Sequence, residues 1–273
     1  MHPIGIFDSG YGGLTILSAI RRHLPQYDYL YLGDNARAPY GPRSFEVVYA
    51  FTLQAVERLF SMGCPLVILA CNTASAKALR TIQQRDLPRI DPTRRVLGVI
   101  RPTAEVIGSL TTSRHVGVLA TEGTIRSHSY RMEIAKLHPD ISVSGVACPL
   151  WAAIVEAGEA ASDGADYFVS KRIHQLMALD PLIDAIILGC THYPLLMPKI
   201  EKYLPEGVKA IPQGDYVARS LASYLDRHKD MARRCSQGAT VTYLTTESPT
   251  RFDETAQLFL QQPVKATTIS LAN

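Results

Sequence analysis

VILACNT at residues 67–73 returns as IILGCTH at residues 186–192. In each stretch an apolar, β-branched run closes on a small residue, then a cysteine, then hydroxyl- or amide-bearing side chains. Such a run is too short for a helix and does not alternate, so it reads as a strand buried on both faces of a parallel sheet. Working outward, IGIFDSGYGG (4–13) matches VGVLATEGT (116–124): a strand with glycine second, then a small polar turn. Asp34 ends one strand as Cys148 ends its counterpart. Gly5 thus aligns with Gly117, Asp34 with Cys148, and Cys71 with Cys190. Three matches in the same order imply a duplicated unit. The expected fold is α/β, with two pseudo-symmetric lobes, each a mainly parallel sheet flanked by helices, and a site in the cleft between them.

The rest of the chain fits that plan. Strands are expected at Ile4–Phe7, Tyr29–Leu32, Leu66–Ala70, Val96–Ile100, Val116–Ala120, Ile141–Val146 and Ile183–Leu188, with a weaker one at Val241–Leu244. Amphipathic stretches at Leu14–His23, Ser44–Met62, Ala74–Arg85, Ala165–Ala178, Leu196–Tyr203 and Tyr216–Lys229 predict helices. No Pro-rich or Gly/Ser linker divides the 273 residues. The lobes are therefore expected as residues 1–98 with 210–273, and residues 99–209, joined by tight crossings.

Composition narrows the function. Lys and Arg number 28 against 25 Asp and Glu, a formal charge of +3. That near-balance argues against a nucleic-acid surface. No apolar run reaches the roughly 18 residues of a membrane span. The start, MHPIGIFDSG, lacks the marks of a secretion signal, so a cytoplasmic protein is expected. There, five cysteines are not structural disulfides, and an odd number leaves at least one free. They are too dispersed for CxxC pairing, and Cys190 with His192 has no zinc spacing, so no metal is expected.

In open α/β sheets ligands bind beyond the carboxyl ends of the strands. Asp8-Ser9, Asp34-Asn35, Cys71-Asn72-Thr73, Thr121 and Cys190-Thr191-His192 all fall at such ends. Cys71 and Cys190 stand at strand-to-helix turns, where helix amides are expected to lower the thiol pKa. Cys64 and Cys235 read as small buried apolar residues, and Cys148 as structural. His192 is either a hydrogen-bond or proton-relay partner of Cys190 or an exposed turn histidine. Asp8 and Ser9 follow a strand into a glycine-rich turn that satisfies neither a Walker loop nor GxGxxG. Asp8 suits a substrate ammonium or proton transfer. Pro39, Tyr40 and Gly41 are turn residues or a backbone-lined edge of the pocket. Asn72, Thr73, Thr121, Thr124 and Thr191 are singly helix caps and jointly a neutral carboxylate site.

These segments together resemble the glutamate racemases of the cofactor-independent aspartate/glutamate racemase superfamily. The resemblance is carried by IGIFDSGYGGLT (4–15), YLGDNARAPYG (31–41), ACNTASA (70–76) and LGCTHYPLL (188–196), with VLATEGTI (118–125) and CPLWAAIVEAG (148–158) between them. It implies that Cys71 and Cys190 are the two acid/base residues, the first assigned to D-glutamate and the second to L-glutamate. Asp8 and His192 would assist them, and Glu156 would supply a nearby carboxylate. Asp8, Ser9, Pro39, Tyr40, Gly41, Asn72, Thr73, Thr121 and Thr191 match substrate-contact positions. It further implies interconversion of L- and D-glutamate for peptidoglycan synthesis, without cofactor, with glutamate as partner and a homodimer as one arrangement open to it.

The chemistry is coherent with the repeat. Inverting a stereocentre through a carbanion is simplest with one base on each face, and two related lobes supply two. No lysine stands out to form a Schiff base, so pyridoxal chemistry is not expected. Two segments depart from the superfamily pattern: GVIRPTAE (98–105) and PQGDYVARSL (212–221). Other readings are racemisation of a related acid such as aspartate, a decarboxylase needing one of the two cysteines, a cysteine hydrolase or transferase using Cys190 and His192, and a two-lobed amino-acid-binding module.

Overall fold

The computed structural model describes residues 2–271. Among the described residues, ten strands form two sheets. They are β1 (Ile4–Asp8), β2 (Tyr29–Gly33), β3 (Leu66–Leu69), β4 (Arg95–Gly98), β5 (His115–Ala120), β6 (Ser142–Ala147), β7 (Ala185–Gly189), β8 (Lys209–Ile211), β9 (Val241–Thr245) and β10 (Ala266–Thr268). The first sheet runs β10-β9-β2-β1-β3-β4 and the second β6-β5-β7-β8. Every pairing is parallel. The order β2-β1-β3-β4 recurs as β6-β5-β7-β8, so the three sequence matches fall on equivalent strands. β1, β2, β3 and β7 are buried along their whole length, as strands covered on both faces must be.

At one edge of the first sheet, β9 and β10 come from the C-terminal part of the chain. β9 was expected; β8 and β10, three residues each, are too short to leave a pattern. β8 pairs with β7, so the chain stays in the second sheet through Ile211, just beyond the expected crossing at 209–210.

Two expected elements differ. The strand placed at Val96–Ile100 ends at Gly98, and Ile100 opens the helix Ile100–Leu110. A Cβ on Gly98 would lie 2.6 Å from Leu79 Cδ2 and 2.9 Å from Ser75 Oγ, so the crossing runs close against both side chains. The single helix expected over Ala74–Arg85 is broken. Asn72–Lys77 is helical, Leu79–Thr81 is one short turn, and Ile82–Asp86 is a wider π turn. Pro88 has no N–H for the Gln84 carbonyl and crowds it, which a widened turn accommodates.

Buried tyrosines tie the sheet to the loops at its carboxyl end. The Tyr31 hydroxyl donates to Gly10 O at 2.9 Å. In the second lobe Tyr193 packs edge-on to Trp151 at 4.8 Å between centroids, and its hydroxyl donates to Cys148 O at 3.0 Å. Cys148 therefore sits in the framework behind the turn that carries Cys190.

Candidate active site

Beyond the carboxyl ends of β1, β2, β3, β5 and β7 lies a cleft of about 400 Å³. It is lined by Asp8, Ser9, Pro39, Tyr40, Gly41, Cys71, Asn72, Thr73, Thr121, Glu156, Cys190, Thr191 and His192, every acid/base and substrate-contact position the resemblance implies; Asp34 and Thr124, also singled out in the sequence, are not among its lining residues. A larger cavity of about 710 Å³ elsewhere holds none of them, so chemistry rather than size marks the site.

Each sheet sends one cysteine into the cleft. Cys71 follows β3 and caps the helix Asn72–Lys77, its Sγ accepting from Ala74 N at 3.5 Å. Ser9 Oγ lies 3.3 Å from the same sulfur. The expectation of a lowered pKa fails here. Burial and the Asp8 carboxylate outweigh the Ser9 hydroxyl and the Ala74 amide, and the Cys71 thiol is pushed up to about 12. Desolvation disfavours the thiolate more than one short helix turn favours it. Asp8 itself is raised by burial, against the pull of His192 and the Gly13 and Gly10 amides.

Cys190 follows β7 in a different setting. It opens no α-helix: a 3-10 turn, Tyr193–Leu196, comes next, and the α-helix Met197–Tyr203 only after that. Its neighbour is His192, whose Nδ1 lies 3.7 Å from Cys190 Sγ and whose Nε2 lies 2.7 Å from Glu156 Oε1. His192 is 7% exposed, so the exposed-turn reading is discarded. Burial alone would lower its pKa, but the Cys190 and Glu156 contacts prevail and push it up to about 10. The imidazole is held as a cation beside the sulfur. Gly12 makes this approach feasible, because a Cβ there would lie 2.3 Å from both His192 Nδ1 and Thr191 Oγ1.

The threonines act both as caps and as cleft walls. Thr121 caps the helix Glu122–Arg126 and meets Thr73 across the lobes at 2.8 Å. Gly123 N donates to Gly41 O at 2.9 Å, and Thr15 Oγ1 donates to Thr191 O at 3.0 Å. The cleft is thus closed on two sides by hydrogen bonds between lobes. The Tyr40 hydroxyl donates to the buried Asp34 carboxylate, which also accepts from Arg37 Nε at 2.7 Å. The segment 39–41 therefore offers the cleft mainly backbone.

Two buried amide nitrogens, Asn72 Nδ2 and Asn35 Nδ2, have no hydrogen-bond partner among the described residues, and both side chains line the cleft. Asn35 Oδ1 accepts from Thr245 Oγ1 at 2.9 Å, which leaves its donors free. Glu247 and Arg251, which also line the cleft, escaped the sequence reading as site residues. Arg251 is the only Lys or Arg among the described residues lining the cleft. Asn35 was expected, with Asp34, beyond the end of a strand, and it does line the cleft; Glu247 and Arg251 lie far along the chain and carry no local motif. No group of three or more His, Cys, Asp or Glu able to hold a metal occurs among the described residues. Nor, among them, is any helix long and apolar enough to cross a membrane.

Residues 14–221 match the family described as Asp/Glu/Hydantoin racemase. A glutamate racemase of Roseobacter denitrificans is 41% identical over 272 residues, spanning 96% of this chain and 98% of its own. The crystal structure of a Bacillus anthracis glutamate racemase superposes with a TM-score of 0.89 at 35% identity, over 99% of this chain and 98% of that one. That of the Francisella tularensis enzyme in complex with D-glutamate gives 0.88 at 32% identity, over 99% and 98%. With its duplicated parallel sheets and a cleft drawn from both, the chain belongs to the Asp/Glu/Hydantoin racemase family, whose amino-acid racemases are isomerases.

Proposed function

We propose that the protein interconverts L- and D-glutamate by a two-base mechanism, with Cys190 and Cys71 as the acid/base pair. The observation that carries this reading is one cysteine from the end of each sheet in a single cleft, each with a different partner. Cys190 with His192 removes the α-proton of L-glutamate, and the electron pair of the C–H bond stays on Cα. The Cys71 thiol, kept protonated by its surroundings, delivers a proton to the opposite face, giving D-glutamate and leaving Cys71 as thiolate. D-glutamate is consumed by the reverse sequence.

The substrate class follows from the donors. Asn72 Nδ2 and Asn35 Nδ2 are two orphan donors for two carboxylates, with Thr73, Thr121 and the backbone of Pro39, Tyr40 and Gly41 alongside. Desolvated donors of this kind strengthen as charge develops on the carboxylate flanking the carbanion. Asp8, Ser9 and Thr191 face the ammonium group. Glu156 orients His192. The lobes, residues 1–98 with 210–273 and residues 99–209 carried on to Ile211 by β8, part at the two crossings to admit substrate. The product serves cytoplasmic peptidoglycan precursor synthesis.

The test is to supply L-glutamate, D-glutamate and L-aspartate without added cofactor and follow optical rotation. Racemisation of both glutamates, with aspartate turned over far more slowly, is expected. Faster turnover of aspartate would reassign the substrate, and a covalent acyl-enzyme without racemisation would replace the reaction class.

A further inference from the structure

The segment PQGDYVARSL (212–221), which departs from the superfamily pattern, places Gln213 where the chain returns from the second sheet. Val99 stands at the outward crossing, directly after β4. Gln213 is 2% exposed, and its Nε2 donates to Val99 O at 3.0 Å. The same nitrogen lies 3.1 Å from Thr103 Oγ1 and donates to the Tyr130 hydroxyl at 2.5 Å. Tyr130 in turn donates to Asn72 Oδ1 at 2.7 Å. Three side chains thus connect the two crossings to the cleft.

The direction of this chain is fixed. A backbone carbonyl can only accept, so Val99 decides which end of the Gln213 amide faces it. That end also donates to the Tyr130 oxygen, leaving the phenol proton for Asn72. Burial raises the Tyr130 pKa, so the proton is always there to give. With Oδ1 occupied, Asn72 is left with its Nδ2 for the cleft, the nitrogen that has no partner among the described residues.

We infer that Gln213 is a positioning residue: acting through Tyr130, it orients Asn72 so that the cleft meets a substrate carboxylate with donors and not with an acceptor. The inference rests on the proposed racemisation of glutamate, in which Asn72 meets that carboxylate. A residue presenting an acceptor to Tyr130 would reverse the chain. Tyr130 would donate away from the cleft, Asn72 would turn its Nδ2 to the phenol oxygen, and Oδ1 would face the anion. Glu at 213 does this at nearly constant shape. Held neutral by burial, its protonated oxygen stands where Nε2 stood, donates its one proton to Val99 O and turns a lone pair to the Tyr130 hydroxyl.

The experiment is steady-state racemisation of both enantiomers by the wild type, Gln213→Glu, Tyr130→Phe and the double variant, with melting followed by circular dichroism. Gln213→Glu is expected to raise KM for both enantiomers about tenfold while kcat stays within about threefold, the scale of one hydrogen bond to a charged group. Tyr130→Phe, which frees Asn72 to turn either way, is expected to raise KM about threefold. The Gln213→Glu effect should vanish in the Tyr130→Phe background, because the route through the hydroxyl is gone. A merely structural role would give the same loss in both backgrounds, and that result overturns the inference, as does wild-type KM in Gln213→Glu. Should Gln213→Glu fail to fold, Tyr130→Phe decides alone: a raised KM supports the relay and an unchanged one overturns it. A wild type inert towards glutamate overturns the functional reading and the relay with it, a result distinct from an active wild type with unresponsive variants.

Discussion

His192 Nε2 lies 2.7 Å from Glu156 Oε1, and this contact binds the ring whose other nitrogen faces Cys190. Glu156 is thereby part of the reason His192 is a cation with a pKa of about 10, against an ordinary 6.5. A raised pKa means that the pairing stabilises the fold fully below pH 6.5 and loses that contribution as pH rises through about 10. Glu156→Gln should lower kcat for L-glutamate on the order of a hundredfold. It should also move the alkaline limb of the kcat/KM profile towards neutral pH. An unmoved limb would detach Glu156 from the proton inventory.

Gly12→Ala tests how closely the lobes must approach. The added methyl would overlap His192 Nδ1 and Thr191 Oγ1, each 2.3 Å from its position, and neither is the free end of a flexible chain. A displacement of about 1 Å at a reacting group is enough for a loss on the order of a hundredfold. Folding stability should fall by about 1–3 kcal/mol. Full activity with a native melting curve would show that the His192 loop yields freely.

Arg251 lies exposed at the cleft, the only Lys or Arg among the described residues lining it. A dicarboxylate with one ammonium carries net negative charge, so Arg251→Gln should slow capture and not chemistry. kcat/KM is expected to drop roughly threefold to tenfold at low salt with kcat unchanged. The difference should shrink as ionic strength rises, because exposed charges are screened within about 10 Å at 0.1 M salt. A salt-independent loss would place Arg251 in direct contact with bound substrate.

The sheets and the cysteine positions were legible because they rest on local pattern. β1, β3 and β7 are unbroken apolar runs, and their ends carry the polar residues that meet in the cleft. The charge states were not legible. Cys71 and Cys190 look alike in sequence, yet one is wrapped by Asp8, Ser9 and a single amide, and the other by an imidazolium held from 36 residues upstream. Helix-end reasoning took the Cys71 thiol for acidified, because burial depends on tertiary neighbours that spacing does not contain. Gln213, Tyr130 and Asn72 lie on three elements far apart along the chain, so no motif joins them. Arg251 escaped for the same reason, as did β8 and β10, which are too short to show periodicity.

The most direct measurement is racemisation of L-glutamate in deuterated water by the wild type, Cys71→Ala and Cys190→Ala, with deuterium at Cα followed in both enantiomers. For the wild type, D-glutamate should form carrying deuterium while the L-glutamate recovered early stays largely protiated, since a different group serves each face. Both alanine variants should lose racemisation. Unimpaired racemisation by either variant, or deuterium appearing in L-glutamate as fast as in D-glutamate, would contradict the two-base assignment.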